Sequence, residues 1–457
     1  MYQIDFSKPI HVYFIGIGGI SMSGLAAILN NQSFRISGSD RAVSPLTQSM
    51  ESDGITVYYG QHADNIHDDV DLVVYTAAIH PDNPEYQKAI LLQLPMLSRA
   101  ELLGQMMKNY QTPIAVAGTH GKTTTTSMAS QILLAADTNP TISVGGILKS
   151  IGGNIRVGGQ ETFITEACEY TNSFLHFLPK IGIILNIDED HLDFFKDIDD
   201  IRRSFRLFAE RLPADGSLII NTEIPDYHKL TNGLVCRVIT YGPNGDYQAH
   251  NISYDTLGNG SFDLMKSGTK LGRISLKVPG SHNISNALST LAMSDLLHIP
   301  FATMVTGIAD FSGTDRRFEK KGELGGITII DDYAHHPTEI IASLETAKKY
   351  PHTAVWCVFQ PHTYTRTKAL FEDFATALSL ADKVVVADIY AARETDTLGI
   401  SSEMLAQRIN ELGTTAYHFA SFDEIENFLL ENCSHGDLLI TMGAGDIVMV
   451  GENLLGQ

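Results

Sequence analysis

Cysteine is scarce in this sequence. The 457 residues include four cysteines, and no two of them form a CxxC pair. They are Cys168, Cys236, Cys357 and Cys433. This spacing argues against both a structural zinc site and a disulfide framework. Few, scattered cysteines are typical of a reducing compartment, so we expect a cytoplasmic protein.

Long apolar runs and basic residues are also lacking. No run reaches the roughly 18 apolar residues of a membrane span, so no membrane association is expected. The first 19 residues lack the basic and apolar regions of a signal peptide. Lys and Arg total 32 against 53 Asp and Glu, a formal charge of −21. This balance argues against a nucleic-acid partner, because phosphate contacts need Lys and Arg. An anionic small molecule needs only a local basic pocket.

The pattern of short apolar runs predicts an α/β fold. Runs of Val, Ile and Leu end in polar or glycine residues, as expected for parallel strands that are buried on both faces. Ligands bind at the carboxyl ends of such strands. The runs lie at 11–19, 71–78, 113–125, 181–191, 327–336, 354–362, 383–390 and 437–446.

The length predicts about three domains, at roughly 150 residues each. Three units each begin with an apolar run and a signature segment, so we predict domains at 1–108, 109–313 and 314–457. Apolar residues make up 44% of the chain, which is enough for each domain to bury a core. The turn-rich stretch at about 233–280 is expected to be mainly β-structure.

The sharpest motif is 115-AVAGTHGKTTTT-126, which follows an apolar run and precedes a helical stretch. A phosphate-binding loop requires this strand–loop–helix order. Gly118 and Gly121 let backbone N–H groups approach phosphate oxygens. We expect Lys122 to reach the β- and γ-phosphates of ATP and Thr123 to place its hydroxyl on Mg²⁺. The standard pattern has one more glycine, where this chain has valine, and a glycine-rich turn without a ligand is the alternative.

A second glycine-rich turn lies near the start of the chain, in 14-FIGIGGISMSGLA-26. Gly16, Gly18 and Gly19 follow an apolar run, and Asp40 lies 24 residues after Gly16. This spacing is typical of a Rossmann dinucleotide site, where the acidic residue binds a ribose. Glycine spacing alone is weak evidence. A nicotinamide-dependent oxidoreductase is therefore one interpretation of this segment.

The segment 118-GTHGKTTTT-126 resembles the nucleotide loop of the Mur ligases, ATP-dependent enzymes that form peptide bonds in cell-wall precursors. Further segments resemble the same family in the same order along the chain. They are 163-FITEACEYTNSF-174, 186-NIDEDHLD-193, 280-GSHNISNALSTLAMS-294, 314-TDRRFE-319, 329-IIDDYAHHPTEI-340, 358-VFQPHTYTRTKAL-370 and 386-VADIYAARETDTLGISS-402. The resemblance implies a Rossmann-like first domain, a central P-loop ATPase domain and a Rossmann-like last domain.

The resemblance also implies which residues hold ATP and the metal. The ATP-binding residues would be Gly118, Thr119, His120, Gly121, Lys122, Thr123, Thr124, His282, Asn283, Asn286, Arg317 and Asp332. Thr123, Glu166 and His191 would hold Mg²⁺, which prefers oxygen ligands, so the histidine is the less typical member. The plainer alternatives are a solvated carboxylate for Glu166, a hydrogen-bonded histidine for His191 and helix caps for the asparagines.

The same resemblance assigns the other two substrates. The diphosphate of a uridine nucleotide sugar would replace the dinucleotide, bound by Gly16, Gly18, Gly19, Asp40, His80 and Arg99. The amino-acid substrate would be bound by His335, His362 and Arg366. Arginine suits a substrate carboxylate because its planar fork pairs with two oxygens. Thr363 stands where the commoner motif has arginine, which argues against a clamp of two basic residues.

The activity implied is ATP-dependent ligation of L-alanine to the carboxylate of UDP-N-acetylmuramate through an acyl phosphate, with release of ADP and phosphate. The catalytic residues would be Lys122, Glu166, His191, Arg317, Asp332 and His335. The partners would be these small molecules alone, with the protein a monomer or a homodimer. One alternative is a recycling ligase that adds an intact tripeptide to the same sugar nucleotide. Another is a nucleotide-binding regulatory protein with a degenerate site.

Overall fold

The apolar runs form strands of three separate β-sheets, and the predicted three-domain α/β fold is confirmed. The computed structural model describes residues 2–76, 78–192, 194–392, 394–396 and 398–457. Two residues of the 386–402 segment, Arg393 and Thr397, lie outside the described residues. No helix in the described ranges is both long enough and apolar enough to span a membrane.

The first sheet has five parallel strands, β1 (His11–Ile15), β2 (Arg35–Asp40), β3 (Thr56–Tyr59), β4 (Leu72–Tyr75) and β5 (Met96–Ser98). Its helices are α1 (Ile20–Asn31), α2 (Pro45–Ser52), α3 (Pro84–Leu91) and α4 (Arg99–Met107), with a 3₁₀ turn at Ala63–Asn65. The strand order β3-β2-β1-β4-β5 reverses between β1 and β4. Ligands of α/β sheets bind at such a switch point.

The second sheet has ten strands, β6 (Thr112–Ala117), β7 (Thr141–Leu148), β8 (Gly153–Arg156), β9 (Thr162–Ala167), β10 (Ile181–Ile184), β11 (Ser217–Asn221), β12 (Arg237–Tyr241), β13 (Tyr247–Tyr254), β14 (Asn259–Lys266) and β15 (Thr269–Pro279). Its helices are α5 (Lys122–Ala135), α6 (Ile198–Ala209), α7 (Tyr227–Thr231), α8 (Ser281–Leu296) and α9 (Phe301–Asp310), with 3₁₀ turns at Lys149–Ile151 and Tyr170–His176. The order is β15-β14-β13-β12-β11-β10-β6-β9-β7-β8. Antiparallel pairing of β13, β14 and β15 accounts for the β-structure expected at 233–280.

The third sheet has six strands, β16 (Glu319–Leu324), β17 (Ile327–Asp332), β18 (Val355–Phe359), β19 (Lys383–Ala387), β20 (Thr415–Phe419) and β21 (Leu438–Met442). Its helices are α10 (Pro337–Ala347), α11 (Tyr364–Ala369), α12 (Phe371–Leu378), α13 (Ser402–Glu411), α14 (Phe422–Asn432) and α15 (Val448–Leu455). The order is β16-β17-β21-β18-β19-β20, and only the edge strand β16 is antiparallel to its neighbour.

Complete burial of the central strands explains why their sequences do not alternate between apolar and polar residues. Every residue of β1, β10, β11, β18 and β21 is buried. Helices cover both faces of a parallel sheet, so each residue of a central strand contacts apolar side chains. The polar residues that follow these strands are left at the carboxyl edges, where the candidate site lies.

Glycines in two helices let the first domain pack closely on the second. Gly104 in α4 lies against the backbone oxygen of His176, and Gly24 in α1 lies against the side chain of Ile155. A Cβ atom at either glycine would overlap its neighbour. The backbone at His176 cannot move aside as a side chain can, so Gly104 is the stricter requirement.

Candidate active site

The predicted phosphate loop connects β6 to the first turn of α5. Gly121 has a φ of +80°, a left-handed conformation that strains other residues. A Cβ atom there would lie 2.8 Å from Oδ1 of Asn286 in α8. On the other side of the loop, the backbone N–H of His120 donates to Oδ1 of Asn186 at 2.8 Å. Two asparagines therefore fix the shape of the loop.

Lys122 is held inside this loop by backbone carbonyls and one carboxylate. Its Nζ donates to the carbonyls of Gly118 and Thr119 and lies 3.0 Å from Oε2 of Glu169. Burial by itself lowers the pKa of Lys122, but Glu169 outweighs burial and the net pKa is raised. The lysine is therefore a fixed positive charge. Glu169, whose side chain is 3% exposed, is a site residue that the sequence did not reveal.

A cleft of about 430 Å³ brings together residues from all three domains. Five of the six predicted catalytic residues line it: Lys122, Glu166, His191, Arg317 and His335. Ile20 is the contribution of the first domain. Residues separated by more than 200 positions thus share one cavity.

The side chains predicted to hold Mg²⁺ fit that cation. Thr123 and Glu166 present oxygen atoms to the cleft, and Glu166 is oriented by a hydrogen bond from the backbone N–H of Gly145. Burial lowers the pKa of His191, so its ring is neutral near neutral pH. Among the described residues, no three His, Cys, Asp or Glu side chains are grouped closely enough to hold a metal alone. A metal here would need phosphate oxygens as well, which is how proteins usually bind Mg²⁺.

Two adjacent arginines have different roles. Arg316 pairs with Asp331 at 2.9 Å and donates to the carbonyls of Gly443 and Gly445, so it is engaged within the third domain. Arg317 points the other way, with Nη2 3.5 Å from Oγ1 of Thr123. The guanidinium groups lie 5.0 and 5.1 Å from the ring centroid of Tyr333, which orients both. Arg317 therefore reaches the phosphate loop from the third domain.

A second cavity, of about 230 Å³, adjoins the phosphate loop. The predicted ATP-binding residues that line it are His120, Gly121, Thr124, His282, Asn283, Asn286, Arg317 and Asp332. Thr119, Lys122 and Thr123 line the cleft instead. The remaining walls include the apolar side chains of Val278, Phe311 and Phe318. A flat apolar ring fits such walls, with the polar residues toward the loop.

Burial shifts the pKa of two titratable groups that line this second cavity. Burial raises the pKa of Asp332 to about 6, against the opposing effects of its Ser343 hydrogen bond and of Arg317. Burial lowers the pKa of His282 to about 4. Asp332 is the one predicted catalytic residue that lines this cavity and not the cleft.

A third cavity, of about 240 Å³, contains two of the residues predicted to bind the amino acid, His362 and Arg366. Arg366 is already paired, through Nη2, with Oδ1 of Asp190 at 2.9 Å. Burial would raise the pKa of Asp190, but Arg366 outweighs burial and the net pKa is lowered. His335 lies at the edge of the neighbouring cleft, with its ring centroid 6.0 Å from that of His362. Asp190 belongs to both cavities, which are therefore adjacent.

The predicted sugar-nucleotide residues lie along the carboxyl edge of the first sheet, outside the three cavities described above. Asp40, at the end of β2, accepts the N–H of Gly18 at 2.8 Å, so it is part of the turn. Gly16 has a φ of +82° in the same turn, which continues through Gly19. His80 is exposed beyond β4.

Arg99, the first residue of α4, is half-buried, and burial lowers its pKa. Within the described ranges, no carboxylate lies close enough to Arg99 to form an ion pair with it. An arginine in this state is suited to bind an anion.

Sequence reasoning missed the acidic partners of the predicted basic residues. They are Glu169, Asp188, Asp190 and Glu339. All four lie within segments that the sequence singled out, close to a predicted residue. Their pairing with His120, Lys122 and Arg366 could not be foreseen, because each of those basic residues belongs to a different segment from its acidic partner.

The fold and the site define a three-domain α/β protein whose phosphate loop faces a cleft shared by its domains. Family models match along the chain: "Mur ligase family, catalytic domain" at 11–111, "Mur ligase middle domain" at 116–294 and "Mur ligase, glutamate ligase domain" at 316–445. The chain belongs to the Mur ligase family.

Individual relatives are similar over their full length. The UDP-N-acetylmuramate–L-alanine ligases of Lachnospira eligens and Agathobacter rectalis are each 60% identical to this chain, with complete coverage of both proteins. The crystal structure of the UDP-N-acetylmuramate–alanine ligase MurC from Thermotoga maritima superimposes with a TM-score of 0.82 at 30% identity, covering 98% of each chain.

Proposed function

We propose that this protein uses ATP to join L-alanine to the carboxylate of UDP-N-acetylmuramate, a step in peptidoglycan precursor synthesis. One observation carries the proposal: a single cleft joins the Lys122 loop, Arg317 and His335, which suit a triphosphate, a developing anion and an amine. The full-length similarity to ligases of that name supports the choice of substrates.

ATP is proposed to lie with its base between the apolar walls of the 230 Å³ cavity and its phosphates on the loop. The N-terminus of α5, which begins at Lys122, favours the anion. Thr123, Glu166 and His191 would hold Mg²⁺. Bound Mg²⁺ supplies positive charge that offsets the phosphate oxygens.

The first chemical step joins two anions. A carboxylate oxygen of the sugar attacks the γ-phosphorus, the bond to the β-phosphate oxygen breaks, and ADP leaves with an acyl phosphate formed. Lys122 and Arg317 lower the barrier because they present positive charge where negative charge accumulates. On the sugar nucleotide, Arg99 is proposed to bind the diphosphate beside the turn formed by Gly16, Gly18 and Gly19.

The second step needs a neutral amine. Burial lowers the pKa of His335 to about 4, so its ring is neutral near neutral pH. We propose this ring as the group that accepts a proton from the alanine ammonium group. Arg366 is proposed to bind the alanine carboxylate, sharing its guanidinium with Asp190. The amine then attacks the acyl carbon, and phosphate leaves.

The domain boundaries, the compartment and the oligomeric state are also proposed. The domains are proposed to divide at 1–108, 109–313 and 314–457. The four free cysteines suit a cytoplasmic enzyme. The enzyme is proposed to act as a monomer or a homodimer.

Phosphate release provides the test. The purified protein is incubated with ATP, Mg²⁺ and UDP-N-acetylmuramate, alone and with L-alanine, glycine, L-serine or the intact peptidoglycan tripeptide. We expect rapid phosphate release with L-alanine and little with the tripeptide. Faster release with the tripeptide would identify a recycling ligase, and ATP binding without amino-acid-dependent release would identify a regulatory protein.

A further inference from the structure

The nucleotide cavity and the catalytic cleft are separated by a shared wall. Only a few residues line both cavities, and two of them, His120 and Glu339, carry opposite charges. His120 belongs to the phosphate loop of the central domain, and Glu339 belongs to α10 of the last domain. Their contact therefore joins two domains at the point where the two cavities meet.

Glu339 holds residues on both sides of this wall. Its Oε2 accepts the backbone N–H of His335 at 3.1 Å and lies 3.3 Å from Nδ1 of the same histidine. Its Oε1 lies 3.3 Å from Nδ1 of His120. One carboxylate thus contacts the proposed base of the amine step and the histidine of the phosphate loop.

These contacts assign the tautomer of His335. Nδ1 faces two acceptors, Oε2 of Glu339 and the carbonyl of Tyr333 at 3.0 Å. A neutral imidazole carries one proton, and two acceptors at Nδ1 place it there. Nε2 is then the nitrogen with a lone pair. The ring can therefore accept a proton at Nε2 without changing its hydrogen bonds.

His120, the second histidine that Glu339 contacts, is also held on both sides. Nε2 of His120 lies 3.2 Å from Oδ2 of Asp188, so both ring nitrogens of His120 face carboxylates. The ring also packs against His336, with 4.7 Å between centroids. An imidazole between two carboxylates is stable as the cation, which compensates the charge of Glu339.

We propose that Glu339 is a positioning residue for the amine step: with the carbonyl of Tyr333 it holds His335 as the Nδ1–H tautomer, and through His120 it connects that base to the phosphate loop. This inference rests on the proposed ligase function and deepens it. Glu339 lines both cavities, and its proposed effect on the amine step is exerted through His335.

The step that Glu339 serves transfers the acyl group from phosphate to the alanine nitrogen. The alanine ammonium group gives one proton to Nε2 of His335 and becomes a neutral amine. The amine nitrogen forms a bond to the acyl carbon as the bond from that carbon to the phosphate oxygen breaks. The second proton of the nitrogen leaves with the phosphate, and the first passes from His335 to solvent.

Hydroxylamine separates this role from a structural one. It is largely unprotonated near neutral pH, so it can attack the acyl phosphate without a base and yield a hydroxamate. We would measure alanine ligation and hydroxamate formation, each with ATP, Mg²⁺ and UDP-N-acetylmuramate, for wild type and Glu339→Gln. Glutamine keeps an acceptor for the N–H of His335 but removes the charge. Glu345→Gln, an exposed glutamate of the same helix, is the matched control.

We expect Glu339→Gln to lower kcat for alanine ligation by about 10²-fold, in line with the size of general-base effects. The KM for ATP and the rate of hydroxamate formation should stay within about threefold of wild type. His120→Gln should lower the same ratio of ligation to hydroxamate, and it tests the link independently if Glu339→Gln does not fold. Glu345→Gln should match wild type in both assays.

Two results would overturn the inference while leaving the ligase function intact. Equal losses of ligation and hydroxamate in Glu339→Gln would indicate a structural role, and unchanged ligation would indicate no role. Wild-type protein that forms no hydroxamate would overturn the ligase proposal itself, and the inference with it.

Discussion

Two glycine-rich turns, that of Gly16–Gly19 and that of Gly118–Gly121, each lie between a buried strand and a helix, and they differ in what surrounds them. Around the central turn, Lys122 is held by two carbonyls and Glu169, and Asn286 packs against Gly121. At the first turn, the carboxylate of Asp40 accepts a hydrogen bond from the N–H of Gly18. A Cβ atom at Gly16 would meet no atom within 4 Å. The central turn is enclosed around a cation, whereas the first turn is open at Gly16 and contacts an anion.

This difference shows what glycine spacing does and does not determine. Glycines set the path of the backbone in both turns, because each contains a left-handed residue. The charge that packs beside the turn determines the ligand. A fixed lysine in the central turn suits a triphosphate. For the first turn, the proposed source of positive charge is Arg99, on another helix.

The largest effect is expected from removing the central cation. Lys122→Met should lower phosphate release by at least about 10²-fold, because a preorganised charge at the reacting phosphate is lost. It should also lower the melting temperature, because Glu169 is left buried without its partner. Lys122→Met with Glu169→Gln should regain the melting temperature but not the activity.

Lys229→Met is the matched control for this experiment, because it removes an exposed lysine that pairs with Asp226 in the same domain. It should match wild type in activity and melting temperature. Normal turnover in Lys122→Met would show that the central turn does not depend on its cation, and the comparison of the two turns would fail.

The next largest effect is expected at the first turn. Arg99→Gln should raise the KM for UDP-N-acetylmuramate by about 10- to 100-fold, because losing a hydrogen bond to a charged group weakens binding by about that factor. The KM for ATP should be nearly unchanged. Initial rates at varied concentrations of each substrate measure both constants. Equal increases in the two KM values would mean that Arg99 supports the whole cleft and not the first turn.

A pair of glycine substitutions compares the two turns directly. Gly16→Ala and Gly121→Ala introduce the same strain, about 1–2 kcal/mol for a left-handed residue. Only Gly121→Ala also collides with a neighbour, Asn286. Calorimetry should show weaker ATP binding for Gly121→Ala, by about tenfold or more, and unchanged binding for Gly16→Ala. Similar losses in both variants would remove the distinction between an enclosed and an open turn.

The smallest expected effect is a dependence of stability on pH, which comes from His120 in the central turn. Burial by itself lowers the pKa of His120, but Asp188 and Glu339 outweigh burial and raise the pKa to about 9 from 6.5. Because the folded pKa is the higher one, this stabilisation is complete below about pH 6.5 and is lost as the pH rises through about 9.

The difference in melting temperature between wild type and His120→Gln should therefore shrink as the pH rises across that range. His228→Gln, at an exposed histidine, serves as the control and should match wild type in melting temperature. A constant difference for His120→Gln would contradict an ion pair between the two domains.

The α/β fold was predictable because burial on both faces leaves a direct mark on sequence. The run at 181–191 predicts a strand, and β10 is buried throughout. The phosphate loop was equally predictable, since its glycines and lysine are adjacent in the chain. The residues that line the cleft could be named only by resemblance to a family.

The ion pairs that organise the site were not predictable. Lys122 and Glu169 are 47 positions apart, and the segments of His120 and Glu339 meet only through the packing of two domains. Nothing in the local sequence distinguishes Glu169 from an exposed glutamate. Asp40 makes a contact that its spacing did not predict: its carboxylate accepts the N–H of Gly18 in the first turn.

The central claim is that the Lys122 loop passes the γ-phosphate of ATP to a carboxylate. The most direct test is to supply UDP-N-acetylmuramate with ¹⁸O in both carboxylate oxygens, together with ATP, Mg²⁺ and L-alanine, and to weigh the released phosphate. An acyl phosphate transfers one carboxylate oxygen, so we predict one ¹⁸O atom in each phosphate. Unlabelled phosphate formed along with the amide product would contradict the account.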